Sequence, residues 1–231
     1  RFARAVGCHN VRDLKLRLTR ALAAGRRFIQ DAGEADGLGA VYDIAAQTLA
    51  VNRELMEQAD LKGAVELLDS ARQILVFGAG GGSTMLAQEM QFRLVRLGYA
   101  ISAYPQSLLP RMVAATLEPN DVVTTLSVTG YTPEIVDSAH IARQYGARVV
   151  AITAMGSPLA EAADVVLPVV ARETDFIYHP SSSRYAMLAA IDVLAMELAL
   201  RHQDRSRDKL RRLKITLDAH RGGDNRQPLG D

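Results

Sequence analysis

Three short stretches of the 231-residue chain combine side chains and backbone able to hold a ligand. In Ser127-Val128-Thr129-Gly130-Tyr131-Thr132-Pro133-Glu134, hydroxyls on Ser127, Thr129 and Thr132 fall within six residues. Thr132 followed by Pro133 has the form of a helix start, a threonine N-cap with proline in the first helical position. Hydroxyls gathered beside the unpaired N–H groups at the positive end of a helix dipole suit an anion such as phosphate, without any lysine or arginine. Capping accounts for Thr132 but not for Ser127 and Thr129, so this stretch reads as a ligand loop. The second stretch is Gly78-Ala79-Gly80-Gly81-Gly82-Ser83. Its glycines allow a close backbone approach to a ligand, with Gly80 in the loop and Ser83 at a helix start. The Gly-x-Gly-x-x-Gly pattern fails at its last position, where Ser83 stands, and no Gly-Lys-Ser/Thr follows. Both facts argue against nucleotide phosphate loops. A plain turn with Ser83 as helix cap is the competing reading. In the third stretch, Thr153 to Ala160, capping by Ser157 ahead of Pro158 is sufficient explanation.

Acid–base chemistry beside a carbonyl would need a base and a group to assist ring opening. Glu173 and His179, which follow the last predicted strand, are the pair placed for it. The plainer readings are a hydrogen-bonding or dimer-contact carboxylate and a loop histidine before Pro180. A nucleotide is disfavoured because Ala103 and Tyr104, not an acid, end the second predicted strand. Cys8 is the single cysteine, which excludes a disulfide framework and a multi-cysteine metal site. A buried structural thiol is a simpler role for it than redox sensing.

The elements that must position these loops are legible from hydrophobic periodicity. Strand candidates at 74–77, 99–103, 121–127, 148–153 and 164–169 alternate with helical stretches to Gly98, over 132–145, from Ser157, and from about Ser183 to His202. Continuous apolar strands alternating with helices specify an α/β fold, a parallel five-stranded sheet covered on both faces. Ligands of such sheets bind at the carboxyl ends of the strands. Upstream, helical spacing from Val41 to about Ala71 predicts an arm, preceded by an acidic, glycine-rich linker at 31–39.

Composition sets outer bounds. With 48% apolar and 23% charged residues the chain can bury a full core. No apolar run approaches the ~18 residues of a membrane span, so no membrane partner is expected and the location is expected to be cytoplasmic. The net charge of +1 conceals eight Arg/Lys against Asp13 in residues 1–30, and seven against two acids over 201–214. Such a basic end suggests a polyanion partner, the alternative being a solvated helix face.

Together these stretches resemble the sugar isomerase (SIS) domain. The resemblance rests on Phe77-Gly78-x-Gly80, Ser127-x-Thr129-Gly130-x-Thr132-Pro133-Glu134 and Thr153-x-x-x-Ser157-Pro158-Leu159-Ala160. Arg1-Phe2-Ala3-Arg4-x-x-Gly7 with Asp13-Leu14-Lys15 is similar to the end of the helix-turn-helix in RpiR-type transcriptional regulators, which join that unit to an SIS domain. Glu173 and Ser183-Arg184 also resemble that family's C-terminal segment. The resemblance implies a flavodoxin-like three-layer fold with four parts: a helix-turn-helix remnant at 1–30, linker and arm at 31–60, the SIS domain at 61–203, and a basic helix with mobile tail at 204–231. It further implies a phosphorylated sugar effector held by Gly80, Ser83, Ser127, Thr129, Gly130, Thr132 and Glu173. DNA would be contacted by Arg1, Arg4, Arg12 and Lys15, in a homodimer or dimer of dimers, with no cofactor and no metal. The first helices of the DNA-binding unit are expected to lie upstream of Arg1, so DNA binding by residues 1–231 alone is expected to be weak. The alternative function is a phosphosugar isomerase using Glu173 and His179.

Overall fold

A computed structural model of the chain describes residues 37–105, 108–171 and 181–222. Helix α1 (Gly37–Glu57) leads through α2 (Leu61–Ser70) into β1 (Gln73–Gly78), α3 (Gly81–Arg96), β2 (Ile101–Tyr104) and α4 (Leu109–Ala114). There follow β3 (Asp121–Ser127), α5 (Pro133–Gln144), β4 (Arg148–Thr153), α6 (Pro158–Glu161) and β5 (Val165–Pro168), then α7 (Ser183–Arg201) and α8 (Gln203–His220). All strand pairs are parallel, in the order β2-β1-β3-β4-β5. That order is the flavodoxin-like winding, whose switch point lies between β1 and β3.

Alternate residues along each strand face opposite sides of the sheet and build two cores. Ile74, Val76, Val122, Leu126, Val150 and Ile152 pack on the side covered by α2, α3 and α7. Leu75, Phe77, Val123, Val149 and Ala151 pack on the side covered by α5 and α6. Because β3 and β4 are covered on both faces, every residue of β3 is buried, including Thr124 and Thr125. Asp121, fully buried at the start of β3, accepts two hydrogen bonds from the Arg72 guanidinium at 2.9 and 2.8 Å and one from Glu118 N.

Two expectations for the arm are corrected. It is not one helix from 41 to 71: Asp60 Oδ1 accepts from Gly63 N at 2.9 Å and starts α2 as a new helix. Aspartate at that position satisfies an otherwise unpaired N–H, which stabilises the break. The first described helix also begins at Gly37, inside the stretch read as linker. The short α4 was not legible from periodicity, since six residues are under two turns. Helix α1 is unusual in that the residues it buries are polar, Thr48 and Asn52.

Candidate anion-binding site

The loops after β1 and β3 sit side by side at the switch point. Gly78 ends β1 where a Cβ would overlap the Ser83 carbonyl, so only glycine lets α3 start so close to the strand. Gly80 adopts φ +85° and its carbonyl accepts the first helical bond, from Thr84 N at 3.1 Å. The helix therefore begins at Gly81, with Gly80 at the N-cap and no side-chain cap. Ser83 as a cap is thereby corrected. It lies in the first turn and lines the cavity described below.

After β3, Ser127 is buried and its Oγ accepts from Gly130 N at 3.2 Å while lying 3.0 Å from Thr132 Oγ1. Thr129 Oγ1 accepts from Tyr131 N at 3.3 Å. Thr132 occupies the N-cap of α5 and its carbonyl accepts from Ile135 N and Val136 N, but its side chain makes no cap bond. The expected side-chain cap is thus replaced by the hydroxyl pair with Ser127, which turns both groups toward the loop. Gly130 serves the loop differently. It has φ +72°, a Cβ there would overlap Ser157 Oγ, and its carbonyl accepts from Leu159 N at 3.2 Å. It packs the β3 loop on the β4 loop and is not among the cavity-lining residues. Ser157 caps α6 as expected, accepting from Ala160 N at 3.2 Å.

These loops enclose a cavity of about 230 Å³ lined by Gly80, Ser83, Ser127, Thr129 and Thr132. The opposite wall comes from the start of α7: Ser181, Ser183, Arg184 and Met187. The Arg184 Cγ and Nε lie 3.6 Å from where a Cβ on Gly82 would sit, so the guanidinium arm lies alongside the glycine loop. Three helix starts, those of α3, α5 and α7, therefore meet at one cavity. Each brings the positive end of its dipole. Hydroxyls and one guanidinium add donors of the kind an anionic group would need, and no carboxylate or imidazole is among the described lining residues. Larger concavities of about 550 and 420 Å³ lie under the arm and along α2 and α7 and lack this set of donors. No group of three metal-ligating side chains occurs among the described residues.

The sequence-derived residues Gly80, Ser83, Ser127, Thr129 and Thr132 are thus brought together, and Gly130 supports them from behind. Glu173 and His179 lie outside the described residues, as do Arg1, Arg4, Arg12, Lys15 and Cys8. Sequence reasoning missed Arg184, Ser181 and Ser183 as cavity residues. The signal was present as three consecutive serines and an arginine opening an apolar helix.

A parallel sheet in this order, with a hydroxyl-lined cavity at its switch point, defines a domain of the sugar isomerase type, and the SIS domain family matches residues 67–197. HexR of Pseudomonas aeruginosa, an HTH-type transcriptional regulator, is 36% identical over 94% of this chain and 78% of its own length. The sugar isomerase domain of an RpiR transcription factor from Sphaerobacter thermophilus superposes with TM-score 0.67 at 25% identity, covering 76% of this chain and 96% of that one. The Vibrio vulnificus NanR protein complexed with ManNAc-6P shares the fold with TM-score 0.74 at 21% identity, covering 93% and 78% of the two chains. The chain belongs to the RpiR-type family of transcriptional regulators that carry an SIS domain.

Proposed function

We propose that the cavity binds the phosphate of a phosphorylated sugar, and that this effector modulates DNA binding by the N-terminal part of the protein. The observation that carries the reading is the convergence of three helix starts on Ser127, Thr129, Thr132, Ser83 and Arg184. Ser127 and Thr132 are already paired with each other, so an arriving phosphate finds donors held in place rather than solvated at random. Ordering them in advance lowers the entropic cost of binding. Glu173 is assigned to the sugar and Gly80 to close backbone approach. The ManNAc-6P bound by NanR supports this ligand class. The protein is read as a cytoplasmic homodimer or dimer of dimers, in keeping with the symmetric sites that helix-turn-helix proteins use. Among the described residues no helix is long and apolar enough to cross a membrane.

The site is read as a sensor and not a catalyst, in keeping with the HTH-type transcriptional regulator HexR to which the chain is similar. On the DNA side, Arg1 and Arg4 are assigned to the reading surface, and Arg12 and Lys15 to phosphates of the DNA backbone. DNA affinity measured across salt concentrations tests this half of the proposal. Lys15→Ala is expected to weaken binding to all sequences alike and to lower the salt slope by about one. An unchanged slope would remove Lys15 from the DNA contact.

A further inference from the structure

We infer that Asn52 is the joint through which occupancy of the cavity sets the position of the arm helix α1, an inference that rests on reading the cavity as an effector site. Asn52 is 5% exposed although it belongs to a helix lying on the outside of the domain. Its Nδ2 donates to Val170 O at 2.8 Å and its Oδ1 accepts from Val170 N at 2.8 Å, across 118 residues of sequence. Nδ2 also donates to Thr48 O at 2.8 Å, which fixes the amide on its own helix. The side chain thus pairs with the backbone beyond the edge strand β5 as a neighbouring strand would, through one donated and one accepted bond.

Two paths run from that pair to the cavity. Val169 N donates to Thr153 O at 3.0 Å, and Thr153 is the register partner of Ser127 in the parallel pairing of β3 and β4. The Thr153 and Ser157 hydroxyls, 3.5 Å apart, back the bend at Gly130 that shapes the phosphate loop. The second path is helix α7, whose opening turns have two working faces. Ser183, Arg184 and Met187 face the cavity, while Ala186, Ala190 and Val193 face a separate space beneath α1.

That space, about 420 Å³, is bounded on the arm side by Leu49 and Met56. The arm therefore spans a gap, and the residues it buries are Thr48 and Asn52. An element held by few apolar contacts opens at low free-energy cost, so the bonds at Asn52 carry a large share of what docks it. A ligand that shifts α7 or the β4 and β5 ends favours one arm position over another by its differential contacts with the two states. Asn52 is accordingly a positioning residue and does not touch ligand.

Hydrogen exchange on the full chain, with inorganic phosphate or fructose 6-phosphate at saturation, tests the inference. In the wild type the probe should alter exchange both at residues 127–132 and along 48–57, the latter by about fivefold or more. In Asn52→Ala the response at 127–132 should persist while that at 48–57 falls below about twofold. Amides of β1, β3 and β4 report whether the variant is folded. Asn52→Asp keeps an acceptor for Val170 N, removes the donor, and decides the same question if the alanine variant does not fold. An arm that still responds in the folded variant, or a wild type whose cavity responds while its arm does not, would overturn the inference. A wild type with no response even at 127–132 would instead overturn the effector reading, and the joint with it.

Discussion

Ser127 and Thr132 show how far a residue pattern can be read and where it stops. Three hydroxyls in six residues beside a Thr-Pro helix start already mark a candidate anion site, because capping needs only one of them. Which atom each hydroxyl touches depends on the loop's bend, and there the cap at Thr132 gives way to a pair with Ser127 at 3.0 Å. Arg184 was not legible as a partner of these groups because it lies 52 residues further on, and only the packing of α7 against α3 brings it there. Ser127→Ala and Thr132→Ala are each expected to weaken phosphosugar binding about tenfold to a hundredfold, since hydrogen bonds to a charged group contribute roughly 1.5–3 kcal/mol. Arg184→Gln should weaken it comparably and also flatten the dependence of affinity on salt. Calorimetric titration at two ionic strengths checks all three variants. If Arg184→Gln retains the wild-type salt dependence, the guanidinium does not meet the anion.

At the scale of elements, strands were the most legible part, because burial on both faces leaves β1 and β4 nearly without polar interruption, and the threonines that interrupt β3 are β-branched and suit a strand. The limits of β3 and β4 agree with the strand candidates at 121–127 and 148–153. Helix ends were less legible, as Asp60 and Gly80 show, because a cap is decided by local backbone geometry. Gly130 illustrates an element junction that tolerates no side chain: Gly130→Ala would place a Cβ at φ +72° against Ser157. The left-handed conformation and the overlap together should cost about 2–5 kcal/mol, read from denaturant unfolding.

Two ion-pair joints, buried at Asp121 and half-buried at Asp69, tie elements together and give stability a pH dependence. Burial pushes the Asp121 carboxyl up, but the Arg72 and Glu118 hydrogen bonds outweigh it and hold it below the ordinary range. Asp69 behaves likewise, burial being outweighed by His202, Tyr99 and Arg201. Burial and the bond to Asp69 push the Tyr99 hydroxyl up to about 12. A carboxyl with a lowered folded-state pKa adds stability that is fully present above its unfolded value, near 4, and is lost as pH falls through the folded value. Unfolding free energy should therefore hold steady from pH 7 to about 5 on account of these groups and decline below about 4. Asp121→Asn should be less stable at pH 7 and show a shallower acid decline. An unchanged acid decline would assign it to other groups.

For the molecule as a whole, the sheet places three helix starts on one cavity, and the same α7 that closes the cavity also underlies the arm. The parallel sheet was legible because each loop motif falls at a strand end, where such sheets bind ligands. The joint at Asn52 was not, since nothing in a lone asparagine on a helical stretch announces a partner 118 residues away. The account stands or falls on recognition of phosphate at Ser127, Thr129, Thr132 and Arg184. The most direct measurement is a melting-temperature panel of phosphorylated hexoses beside their unphosphorylated parents, on wild type and Ser127→Ala. A ligand at one hundred times its Kd adds about 2.7 kcal/mol, or on the order of 5 °C for a domain of this size. The account predicts such a rise for at least one phosphorylated sugar, none for its parent sugar, and a clearly smaller rise in Ser127→Ala. Equal shifts from sugar and sugar phosphate, or a full shift in Ser127→Ala, would contradict it.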